Sequence, residues 1–150
     1  MTEDFDHFKK KYDLPSFEAL NDELDLSGFE DAKNPLRFIV KRIGERLEFF
    51  ADLLGNLVQP DSDPASMYEC NAFSDEDREK LPRMFKHVMY LHREYLEREL
   101  NYNEAEYAKF ILQFCEEWNI VKKELSKILS IMKASWKREN KLKSDLAYYG

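Results

Sequence analysis

The sequence predicts an all-α fold: an up-and-down helical bundle of three long amphipathic helices with short N-terminal helices packed against it. Three observations carry this expectation. Apolar residues recur in alternating steps of four and three from Leu36 to Leu57 and again from Ala108 to Trp136, the spacing of helices packed side by side. Glycine and proline number only four and five, too few for the turns of a β fold. A content of 43% apolar and 35% charged residues suits helices with one buried and one solvated face. At 150 residues the chain has the length of one domain, and such a domain buries roughly 68–70% of its unfolded surface. The expected organisation is a single domain over 1–150, with an acidic arm at 1–33, a bundle core at 34–139 and a fraying tail at 140–150.

The arm reads as short helices. Phe5, Phe8 and Tyr12 recur at helical spacing until Leu14-Pro15, where proline disfavours helix in the residue before it. Ser16 is placed to cap a second helix with Phe17, Leu20 and Leu24 on one face, ended by Ser27-Gly28. Neither element is long enough to persist alone in water, so both must dock.

The first long helix begins at Asn34-Pro35, a favoured cap followed by proline at the first helical position, where the missing N–H has no intrahelical partner anyway. It should run to about Gln59-Pro60. Leu36, Val40, Ile43, Leu47, Phe50, Leu54 and Leu57 form its seam, and Ile39, Leu53 and Val58 widen the stripe toward a second neighbour. Gly44 and Gly55 lower helix propensity, which a close approach by a neighbour would explain.

Asp61 to Phe73 show no sustained period and are expected to form a loop. Ser74 then caps a second long helix, with acids at Asp75–Asp77, that should end near Asn101. Its face is Leu81, Met84, Phe85, Val88, Leu91, His92, Tyr95 and Leu96, and Pro82 falls near the first turns or at a kink. Asn103 caps the third helix. Its seam is expected at Ala108, Ile111, Cys115, Trp118, Lys122, Leu125, Leu129, Met132 and Trp136, broken only by Lys122. A continuous helix over 104–139 would be about 54 Å long against about 38 Å for a 25-residue partner. It should therefore break near Trp118-Asn119 or overhang.

The net charge of −7 is unevenly spread. Residues 1 to 36 carry ten acids and four bases, whereas residues 121 to 143 carry eight bases against Glu124 and Glu139. The first residues have neither a basic nor an apolar signal region, and no apolar run approaches the ~20 residues of a membrane span. A cytoplasmic protein without a membrane partner is expected, with Cys70 and Cys115 as reduced thiols. Abundant Lys and Glu with sparse Cys and Gly points to a thermophilic prokaryotic origin on composition alone.

Chemistry-bearing patterns are few. A di-iron carboxylate bundle needs Glu three residues before an inward His, but Met84 precedes His87 and Met89 precedes His92. His87 and His92 lie five apart, off a shared face. The stretch from Asp61 resembles the start of an acidic calcium loop, yet Ser66 and Ala72 stand where the glycine and the bidentate glutamate belong. No phosphate-cradling glycine loop, nucleophile elbow or cysteine-rich zinc pattern occurs. No catalytic residue, cofactor or metal is therefore expected. Met67 to Phe73 concentrate Met, Tyr, Cys and Phe. The bland reading is a segment pinned by Tyr68 and Phe73 with Cys70 as a small hydrophobe; the sharper one gives Cys70 an imidazole base from His87 or His92.

The candidate partner-binding residues are Lys133, Trp136, Lys137, Arg138, Lys141 and Lys143, where cations beside an aromatic could neutralise phosphates and stack a base. The competing reading has these cations complement the helix dipole and meet the acidic arm. The leading functional expectation is a non-enzymatic helical scaffold for a protein partner or for its own copy, a homodimer that would cover the wide stripe on 36–58. A nucleic-acid accessory protein is the alternative, and a cysteine-dependent enzyme a distant third.

Overall fold

The computed structural model describes residues 2–61 and 63–137. Among these, 83% are helical and none lies in a strand, so the all-α class holds. In chain order the helices are α1 (Thr2–Tyr12), α2 (Phe17–Leu24), α3 (Pro35–Val58), α4 (Pro64–Asn71), α5 (Asp75–Leu100) and α6 (Glu104–Ser135), with a single 3₁₀ turn at Phe29–Asp31. Among the described residues no helix is long and apolar enough to cross a membrane. The chain divides into two compact units, Met1–Glu48 with Tyr90–Trp118 and Phe49–Met89 with Asn119–Gly150. By sequence the first unit holds nineteen acids and eleven bases, the second eleven and twelve.

All four caps expected from sequence form. Ser16 Oγ accepts from the Ala19 N–H at 3.1 Å, Asn34 Oδ1 from Arg37 at 3.1 Å, Ser74 Oγ from Asp77 at 3.1 Å and Asn103 Oδ1 from Glu106 at 3.0 Å. Each satisfies a first-turn amide that the helix itself leaves without a partner.

In the first unit the short helices dock through aromatic rings. Phe5, Phe17 and Phe29 meet pairwise at 4.9–6.2 Å, and Phe29 reaches Phe38 of α3 at 5.9 Å. α2 ends at Leu24 rather than at Ser27-Gly28: Asp25 takes the left-handed conformation and returns its N–H to the Asn21 carbonyl. Arg46 of α3 donates to the Glu23 backbone carbonyl, and the Trp118 indole N–H donates to Glu23 Oε1 at 2.6 Å. Glu104, at the start of α6, accepts from Lys11 Nζ at 2.8 Å and from the Tyr12 hydroxyl.

The expected seam of α3 is realised at Leu36, Val40, Ile43, Leu47, Leu54 and Leu57, all buried, while Ala51 takes the interior place expected of Phe50. Gly44 is closely approached, since a Cβ there would sit 2.3 Å from Cζ of Tyr95.

Two further expectations are corrected. Residues 64–71 form α4 rather than a loop, because Asp63 caps them through the Ser66 amide and Pro64 occupies the first turn. The seam of α6 also sits in a different register. Ala108, expected in the seam, and Phe110 are buried, and the stripe that stays buried along the whole helix is Tyr107, Ile111, Phe114, Trp118, Val121, Leu125, Ile128, Met132 and Ser135, an unbroken alternation of four and three. Ile111, Trp118, Leu125 and Met132 belong to both registers. Cys115, Lys122, Leu129 and Trp136 give way to the residue before each, so Lys122 lies outside the seam and interrupts nothing. α6 is continuous through Trp118-Asn119 and ends at Ser135. The expected tail at 140–150 lies outside the described residues.

Candidate functional site

The register of α6 creates the most distinctive surface of the second unit. Placing Val121 in the core turns Ile120 outward, where it is 67% exposed. Ile120, Val121 and Glu124 form one wall of a groove of about 350 Å³. The other wall comes from α5, where Lys80, Arg83, Met84 and His87 share one face at helical spacing. Lys123 and Lys127 are exposed one and two turns of α6 from Ile120.

The charges of this groove are incompletely neutralised. Lys80 meets Asp77 at 3.9 Å, and Glu124 meets Lys127 at 3.4 Å; both pairs are solvent-exposed and worth little. Arg83 and Lys123 carry no ion pair among the described residues. Lys80 and Arg83 thus line the apolar patch together with one carboxylate, Glu124.

The residues singled out in sequence are arranged differently. Lys133, Trp136 and Lys137 are all exposed, and Trp136 is also engaged. Its indole N–H donates to Glu69 Oε2 at 2.8 Å, and its ring lies 4.8 Å from that of Tyr68. The buried Tyr68 hydroxyl donates to the Ser135 carbonyl at 2.5 Å. These contacts tie α4 to the end of α6 and leave Trp136 40% exposed. Arg138, Lys141 and Lys143 lie outside the described residues. The sequence reading missed Lys80, Arg83 and Ile120. The one local signal was basic residues at 80 and 83 followed by His87, all on the flank of the apolar face of α5.

A second cavity, of about 510 Å³, is lined by Glu94, Glu97, Arg98, Asn101, Asn103 and Glu106 in the first unit. Its one cation is already engaged: the Arg98 guanidinium pairs with Glu94 and, at 3.4 Å, with Glu106, and lies 5.7 Å from the Phe110 ring centroid.

Both cysteines are free thiols. Cys70 Sγ donates to the Leu57 carbonyl at 3.3 Å, and a carbonyl cannot serve as its base. Burial pushes the Cys115 thiol up to about 11, the opposite of activation. Tyr68 and Phe73 are buried, so the segment they flank is pinned. His92 is half-buried, with its Nδ1 2.8 Å from Arg93 Nη1. Among the described residues no group of three or more His, Cys, Asp or Glu is placed to hold a metal ion. Set against known protein families, curated proteins and solved structures, the chain matches none.

Proposed function

We propose that this chain is a non-enzymatic protein-interaction module, a cytoplasmic helical scaffold, built as an up-and-down bundle, that presents the groove between α5 and α6 to a protein partner. The observation that carries the reading is the exposed Ile120, in a groove it shares with Met84, Lys80 and Arg83, with Lys123 and Lys127 exposed farther along α6. An apolar centre with a polar rim is the usual anatomy of a protein interface. Nothing internal requires Ile120 to face water, because the neighbouring Val121 fills the core.

The nucleic-acid reading rests instead on Lys133, Trp136 and Lys137, where the Trp136 ring packs on Tyr68 and its N–H donates to Glu69 while the residue stays 40% exposed. Homodimerisation is a special case in which the partner is a second copy.

The test compares the wild-type chain with Ile120→Glu as bait in lysate of the source organism, with and without nuclease. A nuclease-resistant, stoichiometric protein recovered by wild type and lost with Ile120→Glu is the expected result. Recovery that ignores the substitution, or that vanishes with nuclease, overturns the proposal.

A further inference from the structure

Resting on the interaction reading above, we infer that the occupant of this groove is an acidic amphipathic helix of a partner protein, with carboxylates one helical turn apart facing Lys80 and Arg83 and an apolar side chain set against Ile120 and Met84. Charge complementarity selects this chemistry. Among the described residues Arg83 and Lys123 carry no ion pair, and the one carboxylate lining the groove, Glu124, is drawn toward Lys127. An arginine flanking an apolar patch is a recurrent anchor of interfaces.

The spacing selects a helix. Lys80 and Arg83 stand three residues apart on α5, about 4.5 Å along its axis. Carboxylates at positions i and i+3 or i+4 of a helix laid along the groove rise by a closely similar 4.5–6 Å, roughly one turn. An extended strand would place same-face carboxylates about 6.6–6.8 Å apart and match less well. A helix lying in a groove is also a common recognition mode in which apolar anchors recur every turn.

A nucleic acid fits the groove poorly. Phosphates would gain nothing from Ile120 and Met84, would face Glu124, and would approach a chain of net charge −7. A short acidic helix engages only the local cations and covers the apolar residues as well.

The experiment uses the full chain and three fluorescein-labelled probes: a helix-forming peptide of Glu and Leu about four turns long, the same peptide with Gln for every Glu, and a single-stranded DNA oligonucleotide. Binding is followed by anisotropy, and the site by NMR shifts of the Ile120 and Met84 methyls. The Glu/Leu peptide should bind and move both methyls. Arg83→Glu and Ile120→Glu, both at surface positions, should each weaken binding at least about tenfold, and salt near 0.5 M, with a Debye length of roughly 4 Å, should weaken it further. Equal binding of the Gln peptide overturns the acidic occupant while leaving an apolar docking site intact. Methyl shifts driven more strongly by DNA than by the peptide replace the helix with a polyanion. Peptide binding indifferent to both substitutions, or no peptide binding at all, overturns the inference. A cellular partner that depends on Ile120 but not on Arg83 would uphold the interaction reading and sink only the acidic one.

Discussion

Gly44 offers the most quantitative test of the packing. A methyl group at this position would sit 2.3, 2.4 and 2.6 Å from Cζ, Cε2 and Cε1 of Tyr95. Carbon atoms prefer about 3.5–4.0 Å, so the ring would have to retreat by more than about 1 Å. Gly44 is buried and Tyr95 half-buried, so the displaced ring would give up part of its contact with α3. Overpacking of this kind costs about 1–3 kcal/mol, against a gain of about 1 kcal/mol in helix propensity. Gly44→Ala should therefore destabilise by about 1 kcal/mol, lowering Tm by roughly 2–4 °C for a chain of this length. In a Tyr95→Ala background the obstruction is gone, and the same glycine substitution should instead stabilise by about 1 kcal/mol. The resulting coupling of roughly 2 kcal/mol is read from urea unfolding of the four proteins by circular dichroism. Gly55 is the internal control: its nearest neighbour is Phe85 Cε1 at 3.3 Å, which a small shift relieves, so Gly55→Ala should be close to neutral. Equal stabilisation by Gly44→Ala in both backgrounds would refute the close approach.

Further outcomes follow from the same packing. The register of α6 predicts that Ile128→Ala, at 7% exposure, costs about 2–4 kcal/mol, whereas Leu129→Ala, at 42%, costs under about 1 kcal/mol; chemical denaturation reversing that order would restore the seam first expected from sequence. Cys115, with its thiol pushed up to about 11 by burial, should alkylate at pH 8 on the order of a hundredfold more slowly than a free peptide thiol, and mass spectrometry showing comparable rates would contradict its burial. Hydrogen bonds from Lys11 and Tyr12 hold the Glu104 carboxyl below its usual range. A depressed carboxylate stabilises the fold above its unfolded pKa of about 4.3 and loses that contribution as pH falls through the folded value. The stability gap between wild type and Glu104→Gln should therefore narrow on acidification, and a gap constant across that range would remove the linkage.

The sequence by itself determined the all-α class, the starts of the helices after Ser16, Asn34, Ser74 and Asn103, and most of the α3 seam. Each of these rests on local chemistry: a cap is a hydrogen bond three residues long, and on α3 only one stripe is apolar throughout. On α6 two interleaved stripes share Ile111, Trp118, Leu125 and Met132. Apolar neighbours at Phe114, Val121 and Ile128 compete with Cys115 and Leu129, so periodicity alone cannot choose between the stripes, and Lys122 was the one clue against the wrong choice. Tertiary packing made that choice, because only a facing surface decides which side of a helix is excluded from water. The same packing turned Ile120 outward into the groove beside Lys80 and Arg83, closed α4 onto Trp136, and docked the short helices through Phe5, Phe17, Phe29 and Phe38. These features join residues far apart in the chain, and burial, which local spacing does not encode, brings them together.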